Sequence, residues 1–106
     1  MPAESQGATG PVGLPANARL LARAERDLLD LLRRNPREAL RVIEDIIRLA
    51  RRDLPLGQVK KLPGMGVNRE LSSGRFRVVH FWNNGRLFIV TVFPKKDQRK
   101  VFRHLP

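Results

Sequence analysis

From residue 18 onward the apolar side chains fall at helical spacing. Leu20, Leu21 and Ala24 are followed by Leu28, Leu29, Leu31 and Leu32, with Arg and Asp between them, which predicts a helix over about 23–33. Residues 18–22 fit either the start of that stripe or a short edge strand. Asn35, Pro36 and Glu38 then form a start signal. Asn serves as N-cap, Pro stands at N1 where its missing donor costs nothing, and Glu at N3 closes a capping box. The second helix therefore begins at Pro36. It is expected to place Leu40, Ile43, Ile47 and Ala50 on one face, with Ile46 beside them, and Arg41, Glu44, Asp45 and Arg48 on the other. Arg51 and Arg52 suit the negative end of its dipole, and Pro55 stops it. The two segments predict a helical hairpin with one apolar seam.

After Leu54 the period changes from 3.6 to 2 and the residues become aromatic and β-branched. Segments 76–82 and 87–93 flank Asn83, Asn84, Gly85 and Arg86, and an Asn-Gly pair accepts the positive φ angles of a type I′ turn. These strands carry apolar residues on both faces: Phe76, Val78 and Trp82 on one, Val79 and Phe81 on the other. The helices are expected to cover one side, and chain or ligand part of the other. Residues 68–72 add a further strand before Ser73 and Gly74 turn the chain.

With 106 residues there is room for one domain,. Residues 1–17 are rich in Gly, Pro, Ala and Ser, and only Val12 and Leu14 offer sizeable apolar surface. They are read as a disordered tail ahead of a domain over 18–106. The expected fold class is α+β, a two-helix hairpin packed on a small, mainly antiparallel sheet of three to four strands. No apolar run approaches the roughly 20 residues of a membrane span. Without Cys, disulfide and thiolate chemistry is excluded, and two His are too few for a protein-only zinc site without carboxylate help,. The start MPAESQGATG does not read as a secretory signal, so a cytoplasmic location is expected, with no membrane partner.

Charge changes the picture. The formal net charge is +11, and it is unevenly placed: residues 1–53 carry 10 basic and 8 acidic side chains, whereas residues 54–106 carry 11 basic and 2 acidic. On the helices, Arg beside Asp and Glu at i,i+3 and i,i+4 is an ordinary solvated face. In the sheet half, Lys60, Lys61, Arg69, Arg75, Arg77, Arg86, Lys95, Lys96, Arg99, Lys100 and Arg103 meet only Glu70 and Asp97. Phosphate is the natural counter-charge, which points to a nucleic-acid partner. Arg75 and Arg77 alternate with Phe76 and Val78, so both guanidinium groups are expected on one face of a strand whose other face is buried. Lys95, Lys96, Arg99 and Lys100 follow from the partner strand. An Arg in mid-strand is costly without an anion to meet, which singles out Arg77.

Other candidates read more simply as structure. His80 alternates with Phe76, Val78 and Trp82 and belongs in or beside the core, while His104 lies in a basic C-terminal stretch. Trp82 and Phe81 can stack on bases, but aromatic residues within a strand pair are more often core. Leu62, Pro63, Gly64, Met65 and Gly66 lack the Lys-Ser/Thr of a P-loop and read as a plain turn.

In order, the chain presents a helical hairpin, VKKLPGM, a turn into GRFRVVHFWNNGRLFIVTVF, and KKDQRK. This arrangement, over about residues 20–102, resembles the RelE/ParE superfamily of toxins from toxin-antitoxin systems, nearest to its HigB-like, phage-derived branch. The resemblance implies a sheet of about four strands packed on two helices. It further implies a metal-independent endoribonuclease that needs no cofactor and cuts mRNA on translating ribosomes, with an antitoxin protein, the ribosome and mRNA as partners. The RNA 2′-OH attacks the adjacent phosphate while basic side chains stabilise the transition state. Arg77 matches the strand Arg that contacts the scissile phosphate, and Lys95 and Lys96 match the basic pair supplying charge stabilisation or the proton. Arg69 stands near a basic position before the turn, and Lys60 and Lys61 match a segment that grips RNA. Arg75, Arg99 and Lys100 complete the expected RNA-binding set. Phe102 stands where RelE carries a tyrosine, and this chain contains no Tyr, so that branch's particular chemistry is not available. With Pro106 as the last residue, the usual C-terminal helix is expected to be missing or reduced to a turn. The ParE branch shares the fold and inhibits DNA gyrase, so a non-catalytic gyrase inhibitor or an RNA-binding remnant is the alternative.

Overall fold

A computed structural model describes residues 13–55 and 57–105. Its elements are β1 (Ala18–Leu20), α1 (Ala22–Arg34), α2 (Pro36–Ala50), β2 (Val59–Lys61), β3 (Arg69–Ser73), β4 (Phe76–Asn83), β5 (Arg86–Pro94), a 3-10 turn (Lys95–Asp97) and α3 (Gln98–Arg103). The strands form one sheet in the order β1-β5-β4-β3-β2. β1 runs parallel to β5 and the other pairings are antiparallel.

The class is α+β, as expected, but the sheet has five strands among the described residues instead of three to four. Residues 18–20 resolve to the strand reading, and Val59–Lys61 adds an edge strand too short and too basic to show a strand pattern. The assignment of 1–17 to a tail falls partly on residues 1–12, outside the described residues. The following residues are packed: Leu14 is buried, Asn17 O accepts from Leu87 N at 2.8 Å, and Asn17 Nδ2 donates to Ala50 O at 3.1 Å.

A single residue, Asn35, separates α1 from α2. Its backbone N–H ends α1 on Leu31 O at 2.7 Å, while its Oδ1 accepts from Glu38 N at 3.3 Å. The reciprocal half of the cap differs from a standard capping box. The backbone donor of Asn35 is already spent on α1, so its side-chain Nδ2 donates to Glu38 Oε1 at 2.8 Å,. The buried face of α2 is Ala39, Val42, Ile43, Ile46, Leu49 and Ala50. Leu40, expected on that face, is 60% exposed, and Ile47 is half-buried. The seam follows the i, i+3, i+4, i+7 series begun by Ala39, which rotates Leu40 to the solvent side.

The main core lies between the helical hairpin and one sheet face. Leu28, Ile46, Leu71, Val78, Leu87 and Ile89 are fully buried there, each contributing roughly 1.5–3 kcal/mol relative to exposure. Asn84 and Gly85 take φ of 53° and 78°, the left-handed pair that the expected hairpin turn requires,. A bulge follows on β5: Val79 pairs with Thr91 but His80 with Ile89, leaving Val90 extra,. It shifts the alternation so that Ile89 and Val92 both join the helix-side core, whereas Val90 and Phe93 pack on the other face. Beyond Ile89 the edge of β5 has no strand neighbour among the described residues, and Asp27 of α1 takes over: its Oδ2 accepts from Val92 N at 2.9 Å and Thr91 Oγ1 at 2.8 Å.

The second sheet face is covered in part by a smaller cluster of Leu62, Val79, Phe93 and Val101, with Met65, Phe102 and Leu105 against it. α3, six residues long, supplies its cover. The expectation of a missing or turn-like C-terminal segment is thus corrected: Val101 and Phe102 bury enough apolar surface on the sheet to hold a short helix. Among the described residues, no helix is long and apolar enough to cross a membrane.

Candidate nucleic-acid interface

Side chains of β3 and β4 alternate between the two faces. Phe76 and Val78 join the helix-side core, so Arg77 projects to the second face with Val79. There its guanidinium is held at three points. Nη1 donates to Phe76 O at 2.7 Å and to Gly74 O at 3.0 Å, and Nε lies 3.8 Å from Oε1 of Glu70. Glu70, on β3, is 1% exposed, and Lys60 of β2 brings Nζ to within 3.5 Å of the same oxygen. At these separations the contacts are ion pairs without direct hydrogen bonds. Glu70 Oε2 has no partner, and Arg77 Nη2 has none among the described residues. The anion that the mid-strand Arg needs is therefore partly internal. In the sequence Glu70 is only one acid among many bases. Its role comes from the β2-β3-β4 register, where Lys60 pairs with Glu70 and Glu70 with Val79 beside Arg77.

Lys95 and Lys96 occupy the 3-10 turn that leaves β5, both exposed. With Gln98, Arg99 and Phe102 they line an open basin of roughly 720 Å³. Neither lysine is ion-paired among the described residues. The Phe102 ring meets Phe93 edge-on, with centroids 5.7 Å apart, and Phe93 is the register partner of Arg77. The basin thus adjoins the strand position that carries Arg77. Farther along the same face Phe81 and Phe88 stack with centroids 5.1 Å apart, both half-exposed.

The remaining candidates disperse. Arg75 does not share a face with Arg77, contrary to the alternation argument: it lies in the turn ahead of β4, where strand alternation does not apply. It reaches α2 instead, its Nε and Nη2 each 2.6 Å from a Glu38 carboxylate oxygen. The bidentate hydrogen bond from Arg75 holds the Glu38 carboxyl below its ordinary pKa, and the same bond raises that of Arg75,. Lys61 and Arg69, paired across β2 and β3, alternate with Lys60 and Glu70 and so belong to the opposite face. Lys100 is exposed on α3, outside the basin residues. His80 is fully buried, as expected. Among the described residues no group of three His, Cys, Asp or Glu is placed to hold a metal ion.

What remains is a rigid sheet face carrying a buttressed arginine with one free edge, a lysine beside it, and an unneutralised cluster of two lysines and an arginine next to that. Such a surface can cradle a phosphodiester and stabilise extra negative charge on it.

No protein-family model matches the sequence, and no curated protein does. Solved structures share the fold. The YoeB dimer from Staphylococcus aureus aligns with a TM-score of 0.61 at 14% identity, covering 71% of this chain and 91% of that one. RelE in the RelB-RelE antitoxin-toxin complex from Methanococcus jannaschii aligns at 0.51 and 16% identity, covering 82% and 98%. The conserved hypothetical protein HP0894 from Helicobacter pylori aligns at 0.53 and 19% identity, covering 74% and 93%. The chain has the RelE-like α+β fold.

Proposed function

We propose that this protein is the toxin of a type II toxin-antitoxin pair and acts in the cytoplasm as a metal-independent endoribonuclease on ribosome-bound mRNA. The observation that carries the reading is the open sheet face. On a fold shared with RelE and YoeB, Arg77 keeps Nη2 unpartnered among the described residues, and the adjoining Lys95 and Lys96 have no carboxylate there to neutralise them. The nearer assignment, to the HigB-like branch, rests on the strand motif GRFRVVHFW and the KKDQRK that follows the last strand.

In this reading the mRNA backbone lies across the face with the scissile phosphate at Arg77. Attack of the 2′-oxygen on phosphorus forms the 2′,3′-cyclic phosphate and breaks the bond to the 5′-oxygen. The proton released by the 2′-OH passes to water, and the leaving 5′-oxygen receives one from Lys95 or Lys96, which solvent then reprotonates. Arg77 meets the charge that develops on the non-bridging oxygens. Glu70 acts as a positioning residue: it anchors Nε, so the guanidinium is already oriented when the phosphate arrives. Lys60, Arg99 and Lys100 extend the positive track. The same unshielded surface is what an antitoxin would cover.

Incubating the purified protein with translating ribosomes and mapping mRNA 5′ ends tests the proposal. New cleavage ends are expected, unaffected by EDTA at concentrations that leave ribosomes intact, and Arg77→Lys should reduce them by about 100-fold or more. Intact message at toxic doses overturns the nuclease reading; if supercoiling by DNA gyrase is then inhibited, the protein acts as ParE does.

A further inference from the structure

A second site lies on the other side of the sheet. Between the C-terminal end of α2 and strands β2, β3 and β4 is a cleft of roughly 630 Å³, walled by Leu49, Leu54, Val59, Arg52, Arg69, His80 and Trp82 among others. That volume is in the range of small-molecule sites. Three features are not accounted for by folding alone.

First, α2 ends in a Schellman motif, with Arg52 N donating to Leu49 O at 3.0 Å and Asp53 N to Arg48 O at 2.9 Å,. The left-handed position of this motif usually belongs to Gly, but here Arg52 holds it at φ 57°, an unfavourable conformation for a side chain of this size. What the residue offers in return is its guanidinium, laid over the Trp82 ring at 4.0 Å.

Second, the fully buried His80 hydrogen-bonds Val78 O through Nδ1 at 3.2 Å. The carbonyl accepts, so Nδ1 carries the proton and Nε2 presents a lone pair. Nε2 has no partner among the described residues and is itself buried, beneath the cleft that the residue lines. Burial lowers its pKa to about 4, so the ring is a neutral acceptor at pH 7. Third, Arg69 faces His80 in the register. Neither Arg52 nor Arg69 is ion-paired among the described residues. The cleft thus combines apolar sides, a buried acceptor in its floor and two cations without a carboxylate among the described residues, one of them stacked on Trp82.

We propose that this cleft binds a nucleotide, its base against the wall formed by Arg52 and Trp82 and its phosphate between Arg52 and Arg69. The ligand can come from two sources, a free mononucleotide or an unpaired nucleotide of an RNA. The site is independent of Arg77, Lys95 and Lys96.

Trp82 is the only tryptophan, so intrinsic fluorescence reports on the cleft directly. Titration with GMP should give saturable quenching, with guanosine and inorganic phosphate, at matched ionic strength, each binding about tenfold more weakly or worse. Arg69→Ala and Arg52→Gly should each weaken GMP by about tenfold. Arg52→Gly relaxes the left-handed backbone, so its urea midpoint should be unchanged or higher, separating lost binding from lost folding. Arg77→Lys should leave the titration unaltered whatever becomes of the nuclease reading. A single-stranded hexaribonucleotide binding more tightly than GMP identifies RNA as the source, and weaker binding identifies the free nucleotide. Absence of saturable quenching, equal quenching by phosphate alone, or undiminished binding by Arg69→Ala overturns the proposal.

Discussion

Arg77 and Glu70 form an ion pair across two strands in which the Glu70 side chain is almost wholly buried and the Arg77 side chain is 13% exposed. Removing either partner has different consequences, because a buried carboxylate left with only the exposed Lys60 beside it is expensive, whereas a neutral side chain of the same shape is not. Arg77→Ala should destabilise the fold by about 2–4 kcal/mol in urea denaturation, and Glu70→Gln by about 1–2 kcal/mol. The double variant should be more stable than the two losses added together predict, by about 1–2 kcal/mol. Strict additivity would show that the pair is not coupled.

The edge contact of Asp27 makes a second stability prediction. One carboxylate oxygen serves both Val92 N and Thr91 Oγ1, so Asp27→Ala leaves a strand N–H and a hydroxyl without acceptors and loosens α1 from the sheet. A loss of about 2–3 kcal/mol is expected, read from the shift in urea midpoint. A loss below about 0.5 kcal/mol would mean that water replaces the carboxylate at no cost.

His80 ties stability to pH. Its pKa is about 4 in the folded chain against an ordinary value of 6.5, lowered chiefly by burial. The unfolded chain therefore binds a proton that the folded chain refuses between pH 6.5 and 4. Stability should fall as pH drops through that window, by on the order of 3 kcal/mol, and the effect should level off below about pH 4. The ion pair of Glu38 with Arg75 acts in the same direction at lower pH, where the carboxylate becomes protonated. Urea midpoints measured from pH 7.5 to 4 should slope accordingly, and His80→Leu should flatten the upper part of that slope.

Salt dependence separates the cations that meet RNA from those already neutralised. Lys95→Ala and Lys96→Ala should each make the slope of log K against log salt shallower by about 0.7 for a single-stranded RNA. Arg75→Ala should change it far less, because the guanidinium is committed to Glu38. A slope unaffected by either lysine substitution would remove the basin from the RNA track.

Much of this architecture is written in short-range signals. Asn35-Pro36 with Glu38 and the Asn84-Gly85 turn act within four residues, and both stand where the pattern puts them. His80 was legible too, because strand alternation places it among residues that must be buried. What escaped depended on distance along the chain. Arg75 and Glu38 are 37 residues apart, and no local pattern says that a helix acid will reach a base in a distant turn. The buttress at Glu70 required a register across three strands, one of them too short to be recognised. Leu40 shows the limit of periodicity itself: two overlapping apolar series run along α2, and only packing against the sheet selects the one that is buried.

The pairing of Ala18 with Leu87 also bears on how the protein comes into being. During vectorial synthesis the first strand leaves the ribosome long before its partner exists, and it can take its place only after the closing hairpin has emerged. A nascent chain therefore assembles its cationic face only once that hairpin is out, and a product truncated before it is an incomplete sheet with an unseated leading strand.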